Sequence, residues 1–575
     1  MEEKREADNK PQENKEHLHV KFHDNAPTCR FYLNVIITYL APIFLLPLII
    51  FHNTRKSRCA YVLLLVFANW VSRILPLGVT ALMPLLYLPA LKILPYDVVL
   101  GEYMNNHVLL TLAAITMSLA IETTHLHQRL SMWVLLKCGD SLRQIMAGYT
   151  IATFCITLVL KNSATLDIMA PVVDATVQEI HYTYIRNLYH EHIGREDPRK
   201  LPISCMAMEM NMKDEDMVKI TTKFIKIRKV LLITVAYTAA LGSVGALSGT
   251  VTNYVTKMLI ETKFPKNTSV TFMPWATAFF PVALTAVAAA FFILYYSHMR
   301  RLTLDTNWNA ISASFQAKYL QLGHVRRSEK VVIVVFGVVI LLWSTRKPIF
   351  FRGWANLFDQ HTIDDSSIAF MAVAVLFAIP MKGADIHKRI LSWSVVSHKM
   401  AWGMLLTFGG GLALANASEQ SELSEDFAEL VNSMHIQNPM LMQLLLSVSA
   451  AIVTEFTPND AAANMLIPVV VTLACGHRIN PLYFVFPVML SVTQACILPA
   501  SSSVIAIISD EGHVTVKDLL VPGLLVKCIC QMFNILFINT LGNFVFDLSH
   551  FPDWADNCTH TSNEYHIHRR ASDIT

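Results

Sequence analysis

Charged residues are scarce in this chain of 575 residues. Asp, Glu, Lys and Arg together make up 15% of it, and hydrophobic residues make up 53%. A typical soluble protein carries about 25% charged residues. So few charges could not cover the surface of the roughly four soluble domains that this length would otherwise suggest. The composition excludes a soluble enzyme and predicts a polytopic membrane protein.

The chain also lacks a strong excess of either charge sign, and it lacks a cysteine motif. Its net charge of +3 is too small to indicate a nucleic-acid partner, because phosphate-binding patches usually make a domain strongly basic. Its ten cysteines form no C-x-x-C pair and have no histidine partners at the spacing of a metal site. We therefore predict thiols in the membrane core, with no disulfide framework, no zinc site and no organic cofactor.

A signal peptide is absent as well, since no apolar core falls within residues 1–30. This mixed-charge segment is predicted to be a disordered cytosolic N-terminus. A spanning helix takes about 20 apolar residues, and the first run of that length is 31–51. Similar runs recur up to residue 545. Two of them, 230–260 and 481–508, are interrupted by glycines or by a proline and serines.

Lysine and arginine are concentrated in two of the loops between apolar runs. Residues 181–229 hold ten and residues 297–330 hold six, whereas the short loop between the two regions holds only two. Cytosolic loops carry the excess of basic residues, so both basic loops are predicted to be cytosolic. The glycosylation sequons at Asn267 and Asn557 then lie outside the cell. The tail 547–575 is likewise predicted to be extracellular, with the protein in the cell membrane.

Two segments of the chain resemble each other at a fixed spacing. Residues 161–173 (KNSATLDIMAPVV) parallel residues 458–470 (PNDAAANMLIPVV) at an offset of 297. Upstream, residues 109–112 (LLTL) parallel residues 405–408 (LLTF) at an offset of 296. Each half then continues into one of the two interrupted runs. Two homologous halves with matching broken helices are typical of secondary transporters, whose site lies at the repeat interface near the middle of the bilayer.

The duplication divides the chain into two predicted inverted repeats, 31–296 and 331–546, joined by the cytosolic linker 297–330. In each repeat, two apolar arms joined by a polar asparagine tip predict a re-entrant hairpin, at about 142–180 and about 440–475. Irregular backbone at membrane depth is stable only where protein or a water-filled cavity satisfies it. A broken helix follows each hairpin, in the two interrupted runs. The predicted fold is an all-α polytopic membrane protein.

The asparagine tips combine features of an anion site and of a cation site. The helix that starts at each tip offers free N–H groups, which attract an anion such as a carboxylate. Exposed carbonyls and the Asn and Ser oxygens can hold a hard cation such as sodium. A single motif of this kind would more simply be a helix cap at Asn162 or at Asn459. Its duplication in matching halves favours a binding site.

Three further motifs characterise the chain, at residues 75–84 (LPLGVTALMP), 409–415 (GGGLALA) and 546–555 (FDLSHFPDWA). With the paired tips, they make the chain resemble the divalent anion/sodium symporter family, which includes the animal sodium-dicarboxylate, citrate and sulfate cotransporters and the "I'm not dead yet" proteins. The resemblance implies a homodimer of about eleven transmembrane helices, in which a transport domain moves like an elevator against a scaffold. It also implies a non-enzymatic symporter of dicarboxylates, citrate or sulfate, driven by several sodium ions.

The resemblance assigns roles to particular residues. The family's Ser-Asn-Thr tips correspond to Lys161-Asn162-Ser163 and Pro458-Asn459-Asp460. The small anionic substrate is thereby expected at Lys161, Asn162, Ser163, Asn459 and Asp460. The family's Gly-Thr-Gly-Pro-Asn loop corresponds to residues 249–253, and its symmetric counterpart has become serines at 501–503. The sodium ligands implied in this way are Asn162, Gly249, Thr250, Asn253, Gly409, Gly410, Asn459 and Ser502.

The tips depart from the family at three positions, because Lys161 and Pro458 replace serines and Asp460 replaces a threonine. A lysine at membrane depth costs about 2.5–3.5 kcal/mol on insertion scales, so it should be paired or functional. We hypothesise that the Lys161 ammonium takes the place of a sodium ion and pairs with Asp460 or with a substrate carboxylate. Sodium coupling would then be altered or lost, and sodium-independent, exchange or proton-linked transport becomes plausible.

Other interpretations stay open from the sequence alone. Lys161 could turn into an aqueous vestibule, and Asp167 and Asp174 on the arm after the tip could be solvated in a cytosolic cavity. The altered tips would also suit a transporter-derived binding or signalling protein that no longer cycles, or a carrier of sulfate or another anion. An intramembrane enzyme has little support, because no nucleophile accompanies Lys161 and Asp460.

Overall fold

Helices account for the regular structure of the chain. The computed structural model describes residues 29–558, with gaps at 73, 105, 125, 138–140, 194–204, 207, 209, 211–213, 265–266, 268, 303–307, 347–352, 355–364, 381–388, 401, 424–425, 427–437, 500 and 511. Within these described residues, β-structure is limited to an isolated bridge between Pro380 and Arg389. The predicted all-α class is confirmed for this part of the chain.

Six helical segments of the described chain are long and apolar enough to cross a bilayer. They are Tyr96–Thr123, Phe272–Arg301, Arg327–Arg346, Pro439–Phe456, Asn459–Gly476 and Val516–Phe546. Shorter apolar helices include Asp365–Ala378 and Pro481–Thr493. Large apolar side chains such as Phe44 and Phe544 stay exposed, as expected of a surface that contacts lipid. These features fit a polytopic membrane protein.

The first half of the chain carries both long helices and short helices that turn the chain. α8 begins with a cap, since the Ser141 hydroxyl accepts the Gln144 N–H at 3.2 Å. The helices of this half are α1 (Cys29–Phe51), α2 (Arg55–Ser72), α3 (Leu77–Thr80), α4 (Met83–Ala90), α5 (Tyr96–Tyr103), α6 (Asn106–Thr123), α7 (Leu126–Lys137), α8 (Leu142–Thr157), α9 (Asn162–Ile193), α10 (Asp214–Gly242), α11 (Val251–Lys263) and α12 (Phe272–Ser297).

The second half starts two of its helices with the same Asn-Pro signal. Asn438 and Asn480 accept the N–H two residues on, and a proline occupies the first helical position, where its missing N–H costs nothing. The helices of this half are α13 (Trp308–Gln321), α14 (Arg327–Arg346), α15 (Asp365–Ala378), α16 (Trp393–Lys399), α17 (Trp402–Gln420), α18 (Pro439–Phe456), α19 (Asn459–Gly476), α20 (Pro481–Thr493), α21 (Ser503–Asp510), α22 (Val516–Phe537) and α23 (Asn543–Phe546).

Two helix pairs meet at the asparagine tips. α8 and α9 are joined by residues 158–161, and α18 and α19 are joined by Thr457 and Pro458. Asn162 and Asn459 are the first residues of α9 and α19. α9 extends well into the basic segment that was predicted as a cytosolic loop, and α10 contains the other end of that segment. Much of that segment is helical.

Each half also contains a broken helix. α10 ends in a short 3₁₀ turn, and the chain is unwound over residues 246–250 before α11 begins. α20 ends at Thr493, and the chain is irregular from there until α21 begins at Ser503. Most described residues of both unwound segments are buried. Their backbone groups need partners inside the protein, which places these segments at the centre of the candidate site.

The tip helices and the broken helices share one hydrophobic core. This larger core contains Tyr149 of α8, Trp275 of α12 and Phe486 of α20. A smaller core forms between α2, α4, α5 and part of α17, around Trp70 and Leu88. The smaller core also includes Ala461 of α19, so the helix that starts at the second tip packs against both cores.

The structure corrects the prediction for one cysteine. Cys475, near the end of α19, is disulfide-bonded, whereas the prediction placed every cysteine in the membrane core as a thiol. Disulfide partners need only be close in space, so spacing along the chain gave no signal. The free cysteines of the described chain are Cys59, Cys155, Cys205, Cys496, Cys528 and Cys530.

The chain after α23 packs back onto the second half. The Asn480 side chain donates to the carbonyls of Asp547 and His550, each at 3.2 Å. The tail is described as far as the 3₁₀ helix Asp553–Cys558. The prediction of disorder covers residues 1–30. Residues 1–28 lie outside the described residues, and residues 29 and 30 are the first two of α1.

Candidate functional site

The backbone of each asparagine tip is bound to the broken helix of its own half. The Asn162 N–H donates to the Gly249 carbonyl at 3.1 Å, and the Asn459 N–H donates to the Ser501 carbonyl at 3.0 Å. Both asparagines begin a helix, where backbone N–H groups lack partners within the helix. The same hydrogen bond thus docks each tip on an unwound segment.

In the first half, the unwound segment is shaped by Gly249 and Asn253. A Cβ atom at Gly249 would overlap the Ser243 carbonyl, so the close approach requires glycine. The Asn253 side-chain nitrogen donates to the carbonyls of Ser243, at 3.1 Å, and Ala246, at 2.9 Å. Its Oδ1 atom has no donor, although the residue is fully buried. A buried oxygen left in this way is suited to a cation.

In the second half, the unwound segment is held by a buried ion pair. The Glu455 carboxylate accepts hydrogen bonds from the backbone N–H groups of residues 496, 497 and 498, at 3.4, 3.3 and 3.0 Å. The Lys527 ammonium binds the same carboxylate and donates to the Ala451 carbonyl at 2.5 Å. Both charged side chains are buried. Three N–H groups that could hold an anion are therefore occupied by the chain itself.

Glu455 and Lys527 are not among the ligands predicted from the sequence. The sequence did contain a signal for both residues, because each is a charged residue within an apolar run. Such residues are rare in membrane segments, and they are either functional or paired with another charge. What the sequence could not provide was the pairing, since 72 residues separate the two partners.

The altered tip residues meet between the two halves. Asp460 accepts a hydrogen bond from Thr252 Oγ1 at 3.3 Å, so the second tip contacts α11 of the first half. The Lys161 ammonium lies within electrostatic range of the Asp460 and Asp167 carboxylates. Lys161 and Asp460 are both half-buried. The structure thus places the two replaced residues of opposite charge in one region.

The tip asparagines use their side chains differently. Asn162 Oδ1 accepts the Ser163 N–H at 2.8 Å, whereas Asn459 Oδ1 accepts the Thr454 hydroxyl at 3.3 Å and Asn459 Nδ2 donates to the Thr493 carbonyl, at the end of α20, at 3.4 Å. Asn162 is the first residue of α9 and accepts the N–H of the next residue, which is not the bond of an N-cap, so the helix-cap interpretation stays a prediction. Ser163 is half-buried beside Asn162. The backbone docking bonds, rather than the amide side chains, carry the resemblance between the two tips.

The remaining predicted ligands fall into two groups. Thr250 and Ser502 are buried in the unwound segments, next to the carbonyls on which the tips dock. Gly409 and Gly410 instead lie within α17, where an added Cβ would collide with neighbouring helices, including Tyr103. These glycines have a helix-packing explanation in the structure, so a sodium role for them rests on the family resemblance alone.

A second buried charge cluster lies one turn beyond Asn253 on α11. Lys257 Nζ is 2.6 Å from Asp365 Oδ2, and Arg346 Nη1 is 2.5 Å from Asp365 Oδ1. All three charged side chains are buried. The cluster fastens the helix that carries Asn253 to α14 and α15. It was not predicted, because its members lie far apart in the sequence.

The two predicted glycosylation sites differ in their surroundings. Asn267 is 4% exposed, and its Oδ1 accepts hydrogen bonds from the Ser269 N–H and hydroxyl at 2.9 and 2.6 Å. Burial makes its amide a poor glycan acceptor. Asn557 lies in the 3₁₀ helix near the end of the described chain, and the glycosylation proposal is kept for that residue.

Comparison with known proteins shows the family of the chain. A family model described as the sodium:sulfate symporter transmembrane region matches residues 28–548. The Na(+)/citrate cotransporter of Rattus norvegicus is 30% identical over 564 residues, which cover 91% of this chain and 97% of that protein. Solute carrier family 13 member 2 of Homo sapiens is 28% identical over 572 residues, which cover 92% of this chain and 96% of that protein. The Na(+)/dicarboxylate cotransporter 3 of Mus musculus is 27% identical over 579 residues, which cover 92% of this chain and 95% of that protein.

Relatives named as cotransporters of citrate and of dicarboxylates indicate a secondary transporter of carboxylates and not an enzyme. The family match covers nearly all of the described chain, including both tips and both unwound segments. This chain belongs to the sodium:sulfate symporter family.

Proposed function

We propose that the protein is a secondary active transporter of di- or tricarboxylates, resembling succinate or citrate, across the plasma membrane. The observation that carries the proposal is the matched docking of Asn162 on Gly249 and of Asn459 on Ser501. It brings two helix N-termini and two unwound segments into one helical body. Helix N-termini favour a carboxylate and unwound carbonyls favour a small cation, which are the two solutes that relatives named Na(+)/citrate cotransporters handle.

The proposed architecture is that of an elevator transporter with inverted repeats, about eleven spanning helices and a homodimeric scaffold. The repeat is supported by the two docking bonds, whose donors lie 297 residues apart in the sequence. It is supported further by the broken helix that supplies each acceptor. The tips and broken helices would form the transport domain, and helices such as α2, α4 and α5, whose smaller core meets the second tip helix at Ala461, would belong to the scaffold.

The proposed orientation places the N-terminus in the cytosol and the C-terminal tail outside. Disulfides form in oxidising compartments, so the disulfide of Cys475 supports an outer position for the end of α19. The tail packs on the same end of the second half through Asn480. The basic residues near Arg228 and Lys229 then face the cytosol, in agreement with the charge bias.

The proposed substrate site lies between the tips, at Asn162, Ser163 and Asn459, with the charges of Lys161 and Asp460 beside it. Asp460 is held by Thr252 of the opposite half. Lys161 adds a basic side chain to the tip that docks on Gly249. Opposite charges at the two tips leave the site close to neutral, which allows a dianionic substrate to be attracted by the helix N-termini.

Sodium coupling is proposed to be altered or lost. The orphaned Asn253 oxygen marks a position where a cation ligand is still present in the first half, with Gly249 and Thr250 beside it. A fixed ammonium on the adjacent tip repels a mobile cation. We therefore propose that Lys161 takes over the charge that sodium supplies in relatives, so that uptake no longer requires sodium.

The proposed function is tested with a substrate panel in cells that express the protein. Saturable uptake of labelled succinate or citrate, lost in the Asn162→Ala/Asn459→Ala variant at equal surface expression, is the expected result. Uptake of sulfate alone would mean that the protein transports sulfate instead of a carboxylate. Protein that reaches the surface and binds these anions, but transports none of them, would favour the alternative function. That alternative is a binding protein that no longer cycles, which the three altered tip positions also suit.

A further inference from the structure

One face of α9 connects the first tip with the far end of the helix and carries polar residues along its length. Asp167, Pro171, Asp174 and Gln178 recur at spacings of three or four residues, which puts them on the same side of a helix. Asp167, Pro171 and Gln178 are exposed, and Asp174 is half-buried. Charged and amide groups on a helix in a membrane protein face water rather than lipid. This face therefore lines an aqueous surface that begins at the Lys161 tip.

A cleft of about 250 Å³ opens on this face, between α9, α10 and α21. Asp174 and Gln178 line it from α9, Arg228 from α10, and Ile508 with Gly512 from the region of α21. Its volume is sufficient for a small dicarboxylate. On α9 the lining residues run from Ala170 to Gln178, farther from the first tip than Asp167.

The cleft contains an arginine in the geometry that recognises a carboxylate. Arg228 Nε donates to Asp174 Oδ1 at 2.7 Å, and Arg228 Nη2 donates to Asp174 Oδ2 at 2.9 Å. Two parallel bonds of this kind are the preferred mode of carboxylate binding by guanidinium. The third nitrogen, Nη1, donates to the Gly512 carbonyl at 3.2 Å. The fork therefore stays anchored by Gly512 when the carboxylate in front of it changes.

The ion pair in the cleft is partly accessible to water. The Arg228 and Asp174 side chains are 27% and 35% exposed, and ion pairs this accessible to water contribute little to stability. A second carboxylate that reached Arg228 would therefore compete with a weakly bound Asp174.

We propose that Arg228 forms a second carboxylate-binding site on the cytosolic side of the tips, with Asp174 as its built-in competitor. The site would receive the same small carboxylate that the tips bind, before release to the cytosol. This inference rests on the proposed function. The structural alternative is that Asp174 and Arg228 only fasten α9 to α10.

The test measures binding of radiolabelled succinate and citrate to the full-length protein in lipid nanodiscs, together with its thermal unfolding. Asp174→Asn removes the competing charge, and we expect the dissociation constant to fall about two- to fivefold, the effect of an exposed ion pair. Arg228→Gln should abolish this component of binding. In the Asn162→Ala/Asn459→Ala background, which disables the tips, Arg228-dependent binding should persist.

The chain provides a matched control at the next residue. Lys229 pairs with Asp518 at 3.0 Å, with side chains 25% and 35% exposed, so this pair is similar in exposure and also anchors α10. Lys229→Gln should leave carboxylate binding unchanged.

Three outcomes would overturn the second site. The first is equal binding in wild type, Asp174→Asn and Arg228→Gln. The second is an equal loss of stability in the Arg228 and Lys229 variants without any change in affinity. Failure of all variants to bind or transport a carboxylate would overturn the proposed function together with the second site.

Discussion

The two halves of the candidate site share a backbone hydrogen bond and differ in charge. Each tip asparagine donates its N–H to the unwound segment of its own half. In the first half, that segment is held by the neutral amide of Asn253, and the charge, Lys161, lies on the tip. In the second half, the segment is held by the Glu455–Lys527 ion pair, and the tip carries the carboxylate of Asp460.

This difference shows how one backbone arrangement can support two kinds of site. The N–H groups of the second unwound segment are occupied by Glu455, and the positive charge there belongs to the protein. The first segment retains a buried oxygen without a donor. The second segment therefore has no N–H group of residues 496–498 left for an anion, and the proposed cation ligand, the Asn253 oxygen, belongs to the first segment.

The largest effect is expected from breaking the ion pair of the second half. Lys527→Met leaves the Glu455 carboxylate buried and unpaired, which should cost about 3–5 kcal/mol. The double variant Glu455→Gln/Lys527→Met removes both charges and should recover most of that loss. Thermal unfolding of the purified protein measures both. If Lys527→Met is as stable as wild type, the ion pair does not stabilise the unwound segment of the second half.

A smaller effect is expected from crowding the first unwound segment. Gly249→Ala places a methyl group against the Ser243 carbonyl, and the segment must shift, at about 1–3 kcal/mol. Uptake should fall sharply, because the acceptor for the Asn162 N–H moves. Gly337→Ala in α14 is the control, since nothing lies within 4 Å of its added Cβ. Equal uptake by the two variants would contradict a functional docking bond.

The smallest effect is expected from sodium binding itself. Measuring it shows which half of the site binds the cation. Lys161→Ser should create sodium-dependent thermal stabilisation of about 1.4 kcal/mol at sodium roughly tenfold above its dissociation constant. Adding Asn253→Ala should abolish that stabilisation, whereas adding Ser502→Ala should leave it in place. The reverse pattern would assign the cation to the second half.

The sequence was sufficient to find the tips, the broken helices and the loop around Gly249, because these features repeat or match a family motif. It was insufficient for Glu455 with Lys527 and for Lys257 with Asp365, because ion pairs carry no local motif and their partners lie 72 and 108 residues apart. The burial of Asn267 was equally invisible, since a sequon describes three residues and burial depends on the surrounding helices.

The proposed replacement of a sodium ion by the Lys161 ammonium can be measured in cells. Uptake of labelled succinate and citrate is compared in sodium and in choline, for wild type and for Lys161→Ser/Asp460→Thr. Wild-type uptake should continue in choline, and the double variant should become dependent on sodium. If wild-type uptake is lost in choline, Lys161 does not replace sodium.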